Sequence, residues 1–324
     1  ESAHYYGMQS LKIMDRLQVR WKSARLIPGL WFFVFHWREP LRSSLGPLLE
    51  AYKSGLNAGD NEFAFASATA YCLCHFMGGE DLTSLESQMK VFKKKGEECS
   101  NDLFDRFSPL LQLCNFLGGQ DGSQSVNDLL ETFEPLMMKA FEKGDRIQGF
   151  RVCHLQSFIK YLFGDYESAA KDVEIIVTAG DLFAGRYCSP HCAFYNGLIS
   201  AALARIRKEE KWFDLLRENM KYLKEWSSKS PLNCEQKLIL LEAEMAVLMN
   251  SDDEARRKYD LAIDLANENK FTQDKAIAHE RAGIYYLGKG DESKSSHHYG
   301  KAHDTYLLWG AKRKADHLRE RCPF

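Results

Sequence analysis

Asp252-Asp-Glu-Ala255-Arg-Arg-Lys-Tyr259-Asp-Leu-Ala262, answered by Gly283-Ile-Tyr-Tyr286 and then by Tyr299-Gly-Lys-Ala302, is the stretch that decides the fold. Each copy sets small residues one helical turn from an aromatic, so two helices can approach closely while the aromatic fills the groove between them. A third copy lies upstream in Tyr161-Leu-Phe-Gly164-Asp165-Tyr166-Glu-Ser-Ala169-Ala170. Its offset from turn to small residue, Gly164 to Ala169, is that of Asn250 to Ala255 and of Gly290 to Ser295. The predicted packing positions are therefore Ala169, Ala255, Tyr259, Ala262, Gly283, Tyr286, Tyr299, Ala302, Trp309 and Gly310.

The rest of the chain reads as helix as well. Segments of roughly 14–20 residues carry apolar side chains at i, i+3, i+4 and i+7, and short breaks divide them at Gly59-Asp60, Gly78-Gly79-Glu80-Asp81, Gly118-Gly119, Gly144-Asp145, Gly164-Asp165, Asn250-Ser251-Asp252 and Gly290-Asp291. Glycine supplies the left-handed residue that ends one helix, and the neighbouring Asp caps the next. The small and aromatic positions match those of the tetratricopeptide repeat, with forty residues from Tyr259 to Tyr299 against the usual ~34. The expected fold is all-α, a right-handed α-solenoid of tetratricopeptide-like antiparallel helix pairs spanning residues 1–324 as one region. A soft joint is expected near 118–125, where Gly118-Gly-Gln-Asp-Gly-Ser-Gln-Ser125 is the most polar stretch. Pro40 is expected to open a helix after the aromatic run Trp31 to Trp37, and a further helix start is expected in 184–190. The opening residues read as the middle of a helix, which leads us to expect a piece of a larger multidomain protein.

Composition narrows the function classes. Forty-three Lys and Arg against forty-five Asp and Glu leave a net charge of -2, too small to draw nucleic acid or an anionic membrane by a global field. The apolar run Leu30 to Trp37 falls far short of the ~20 residues that span a bilayer. Nine scattered cysteines, among them Cys72, Cys74, Cys114 and Cys153 at apolar positions, fit a reducing cytoplasmic compartment.

The chemistry-bearing motifs are incomplete. Gly283 to Gly290 comes within one residue of a phosphate-binding loop but lacks the hydroxyl that would hold magnesium. His279-Glu280 begins a zinc-protease motif whose second histidine position is Gly283. Cys188-x3-Cys192 with His191, and Cys153 with His154 from another helix, is the one cluster with metal-ligand chemistry, and buried thiols beside a capping histidine are the favoured reading of it. His297, His298 and His303 read as solvated or singly bonded. Glu242 and Glu244 fall where a solvated role suffices, and Lys312-Arg313-Lys314 reads as exposed helix-terminal charge. No catalytic, cofactor-binding or metal site is expected. The aromatic wealth of Trp31, Trp37, Tyr71 and Tyr195 leaves ligand sensing as an alternative.

From about Ala243 onward the chain shows Tyr259-Asp260-x-Ala262-Ile263-x2-Ala266-x-Glu268-Asn269, then Ala276-x3-Glu280-x-Ala282-Gly283-x-Tyr285, then Ala302-x3-Tyr306-x2-Trp309-Gly310-Ala311-x2-Lys314. Upstream stand Trp226, Pro231-x2-Cys234-x2-Lys237, His36-Trp37-Arg38-Glu39-Pro40-Leu41 and Leu49-Glu50-x-Tyr52-x2-Gly55-Leu56-x2-Gly59-Asp60. Together these resemble the long helical region of large "predicted ATPase" signalling proteins, with Trp309-Gly310-Ala311 the most specific part. In that family the region follows an AAA/STAND-type ATPase module, often itself preceded by a serine/threonine kinase, and precedes a GAF sensor with a histidine kinase or a nucleotide cyclase. The resemblance implies a non-catalytic regulatory or scaffolding array. Its partners would be another protein or flanking domains of the same chain, with neither nucleic acid nor membrane involved.

Overall fold

A computed structural model describes residues 2–18, 23–99, 106–119 and 125–323. Among these the regular structure is helical throughout, with no strand. The α-helices are α1 (Ser2–Arg16), α2 (Ser23–Phe33), α3 (Leu45–Asn57), α4 (Asn61–Met77), α5 (Leu82–Glu98), α6 (Ser108–Gly118), α7 (Val126–Glu142) and α8 (Arg146–Leu162). They continue with α9 (Tyr166–Val177), α10 (Cys188–Arg207), α11 (Glu210–Lys229), α12 (Pro231–Leu248), α13 (Asp252–Glu268), α14 (Thr272–Gly288), α15 (Glu292–Trp309) and α16 (Lys312–Arg321).

The corners form as local chemistry dictates. Gly164 and Gly290 take φ of +84° and +74°, the left-handed conformation that costs glycine least. Behind them Asp165 and Asp291 accept from the backbone N–H of Ser168 and Lys294, both at 3.1 Å. Two further corners carry no glycine and no Asp cap: Lys208 and Lys270 themselves turn left-handed. Pro40 opens a 3-10 turn, Leu41–Ser44, rather than an α-helix, and α3 begins only at Leu45. The helix expected in 184–190 does start, at Cys188. Gly119 ends α6 and a Ser125/Asp128 capping box starts α7, but residues 120–124 of the expected joint lie outside the described residues.

Burial sorts the helices into two kinds. The outer helices bury one stripe: Trp212, Leu216, Asn219 and Leu223 on α11, and Ala255, Tyr259, Ala262 and Ala266 on α13. That is the period of a helix with one face on the core. By contrast α4, α8, α10, α12 and α14 are buried on nearly every side, and α12 and α14 carry charged residues into the interior with them. α13 begins at Asp252 and α15 at Glu292, so the pair repeats after forty residues.

These pairs do more than touch their neighbours. Phe76 of α4 stands with ring centroids 5.3 Å from Phe158 of α8, 5.9 Å from His191 of α10 and 6.1 Å from Trp309 at the end of α15. Gln273 donates to the Met77 carbonyl at 2.9 Å. Asn233 of α12 accepts from Leu41 N–H at 2.9 Å and donates to the His36 and Glu39 carbonyls. Arg313 of α16 lies over the Phe116 ring of α6 at 4.4 Å. The last helices thus pack onto the first third of the chain, and aromatic side chains occupy the middle.

Ala302 is completely buried, so Ala302→Trp should cost about 1–3 kcal/mol through overpacking. An unchanged denaturation midpoint would mean that α15 can move away from its neighbours freely.

Candidate functional site

The predicted packing positions fall where helices meet. Ala169, Ala255, Tyr259, Ala262, Ala302 and Trp309 are all buried. A Cβ on Gly283 would stand 3.2 Å from the Tyr299 ring, while Ser295 donates to the Gly283 carbonyl at 2.9 Å, so α14 and α15 touch at backbone range there. Tyr286 stacks on His298, with ring centroids 5.4 Å apart. Gly310, at φ +89°, ends α15 against Asp81 and Leu82. These residues build the frame, and α13, α14 and α15 with its cap gather all but one of them. Ala169 stands apart on α9.

Two polar clusters inside the frame correct the solvated reading of their members. Glu244 on α12 receives Arg281 of α14 through two bonds of 2.9 and 2.8 Å, Arg205 of α10 at 3.0 Å and the Tyr259 hydroxyl at 2.6 Å. Burial would push the Glu244 carboxyl up, but the two guanidinium groups and the bonds from Arg281 and Tyr259 hold it down at about 2. Glu242 likewise is taken, by Lys258. Lys314 is buried, bonded to Glu280 at 2.6 Å beside the Tyr306 hydroxyl, which reaches the same carboxylate at 2.6 Å. The basic run 312–314 is therefore not simply exposed charge. Lys237 and Asp274, also missed from sequence, pair deep in the middle with the Lys237 ammonium 4.1 Å over the Phe271 ring. α12 and α14 each carry several charged residues, so no local signal singled this pair out.

The motif residues are held in the same way. Glu280 serves Lys314 and Tyr306, and His279 lies with its Nδ1 3.1 Å from that of His298. His191 is no helix cap. It is buried with its Nδ1 2.8 Å from His154 Nε2, and burial, with His154 and Lys237 adding to it, lowers its pKa well below the ordinary range. Burial also pushes the Cys153 thiol up to about 12 and the Cys188 thiol up to about 11. All nine cysteines are free. Among the described residues no group of three or more His, Cys, Asp or Glu is placed to hold a metal ion. None of the helices they form is long and apolar enough to cross a membrane.

A groove of about 620 Å³ lies against α3, and a smaller one of about 390 Å³ opens between α10 and α11. Its floor is one stripe of α10, Ser189, Cys192, Ala193 and Asn196, and its wall one stripe of α11, Leu215, Glu218, Tyr222 and Trp226. Tyr222 and Trp226, one turn apart, stack at 5.7 Å with their planes 18° from parallel. Trp37 lines it from the 3-10 turn before Pro40, and Phe183 from the segment between α9 and α10. Of the aromatics singled out in the sequence, Tyr71 and Tyr195 are core residues and only Trp37 reaches this groove.

No protein-family model matches the chain, and no curated protein matches it.

Proposed function

We propose that the chain is a non-catalytic regulatory or scaffolding module, its helix pairs wound as a right-handed tetratricopeptide-like solenoid. On the resemblance carried by Trp309-Gly310-Ala311, it would work beside the ATPase and kinase modules of a cytoplasmic signalling protein, binding a protein partner or its own flanking domains. One observation carries the interaction reading. α1 buries only Gly7, leaving Tyr5, Tyr6, Ile13 and, just past its end, Leu17 at 59, 66, 54 and 65 % exposure. A helix that turns large apolar side chains outward as well as inward has a second face to cover. Since the middle of the array is filled by its own aromatics, such an outer face is where a partner would bind.

A photo-crosslinking residue at Ile13, introduced into the protein as the cell makes it, should capture a protein or a flanking domain. The same residue at the exposed Asp253 should not. Capture that is equal at the two positions, or absent at both, would end this reading.

Ligand sensing stands as a second reading, favoured by the aromatic groove between α10 and α11. There a bound molecule would bridge Trp37, early in the chain, to helices 150 and more residues later.

A further inference from the structure

We infer that the groove between α10 and α11 is a binding site for a small organic cation, an ammonium carried on an apolar or aromatic body. This inference rests on the ligand-sensing reading above and deepens it. Its volume of about 390 Å³ lies within the range of small-molecule sites.

The chemistry of the lining picks the charge. Two carboxylates, Glu218 and Glu225, line the groove, and no Lys, Arg or His is among the residues that do. Tyr222 donates to Glu218 at 2.9 Å, which keeps that carboxylate beside the stacked Tyr222–Trp226 pair, while Lys229 engages Glu225 at 2.7 Å from one turn further along α11. Aromatic faces attract cations electrostatically, and more strongly as water is displaced. Trp37, Tyr222 and Trp226 bring three such rings to one opening.

The floor of the groove is mainly apolar, so the body of the ligand would lie against Cys192, Ala193, Ile176 and Phe183. A carboxylate ligand would meet Glu218 with no cation in the lining to offset it.

Isothermal titration of the whole chain with benzyltrimethylammonium, benzyl alcohol and phenylacetate separates the possibilities. The cation should bind, the alcohol at least about tenfold more weakly and the anion not at all. The Glu218→Gln/Glu225→Gln double variant should weaken the cation by about fivefold or more, without moving the thermal midpoint, since both side chains are exposed. Equal binding of cation and alcohol, or cation binding unchanged in the double variant, would overturn the charge assignment and leave ligand binding standing. No heat with any of the three probes would overturn both.

Discussion

Replacing Arg281 by methionine is expected to cost about 3–5 kcal/mol of folding stability at neutral pH, because it leaves Glu244 buried with its main counter-charge gone. Arg281 is the only partner that grips the carboxylate through two bonds, and only Arg205, a third exposed, and the Tyr259 hydroxyl remain without it. The pH dependence separates this cause from simple loss of packing. Glu244 is held at about 2 against an ordinary value of 4.5, so its contribution is full above about 4.5 and is lost as pH falls from there toward about 2. The gap in urea midpoint between the natural chain and the variant should therefore be wide at about pH 7 and narrow at about pH 3. A gap of the same size at both values would show that the side chain acts through its volume alone.

Trp309→Ala should cost a similar amount, about 3–5 kcal/mol, as expected for removing a large buried aromatic. Its distribution matters more than its size. The Trp309 ring lies 6.1 Å from Phe76 and 6.4 Å from Phe158, so the cavity opens among α4, α8 and α15 together. Hydrogen exchange should accelerate in α4, more than two hundred residues away in the chain, and not only in α15 and α16. Confinement of the change to the last two helices would mean that the closing contacts are too weak to couple the two ends. For the regulatory role proposed above the difference would be consequential. In a one-dimensional stack a disturbance passes only from unit to unit, whereas here the two ends share side chains directly and can shift as one body.

Much of the helical framework was legible in residue order, for reasons that act within a few positions. A left-handed residue and an Asp cap settle a corner with bonds that span three or four residues, so Gly164-Asp165 and Gly290-Asp291 announce themselves. The exceptions, Lys208 and Lys270, are residues with no special preference for the left-handed region, so their corners carry no such signal. The stripe Ala255, Tyr259, Ala262 on α13 was equally readable, since one buried face imposes its period on the sequence.

The polar interior was not readable. Glu244, Arg281 and Arg205 come from three helices, and Lys314 and Glu280 lie thirty-four positions apart, so nothing local distinguishes them from solvated surface charge. The groove has the same origin: Trp37, Asn196 and Trp226 share no segment, and only tertiary packing brings them to one opening. What residue order determined by itself is the set of helices, their ends and the faces they bury, because backbone hydrogen bonding and apolar periodicity are short-ranged. Which charges are buried, which ends meet and where a cavity stays open were decided only by tertiary packing, where burial turns an ordinary Glu or Asn into a group that must find a partner.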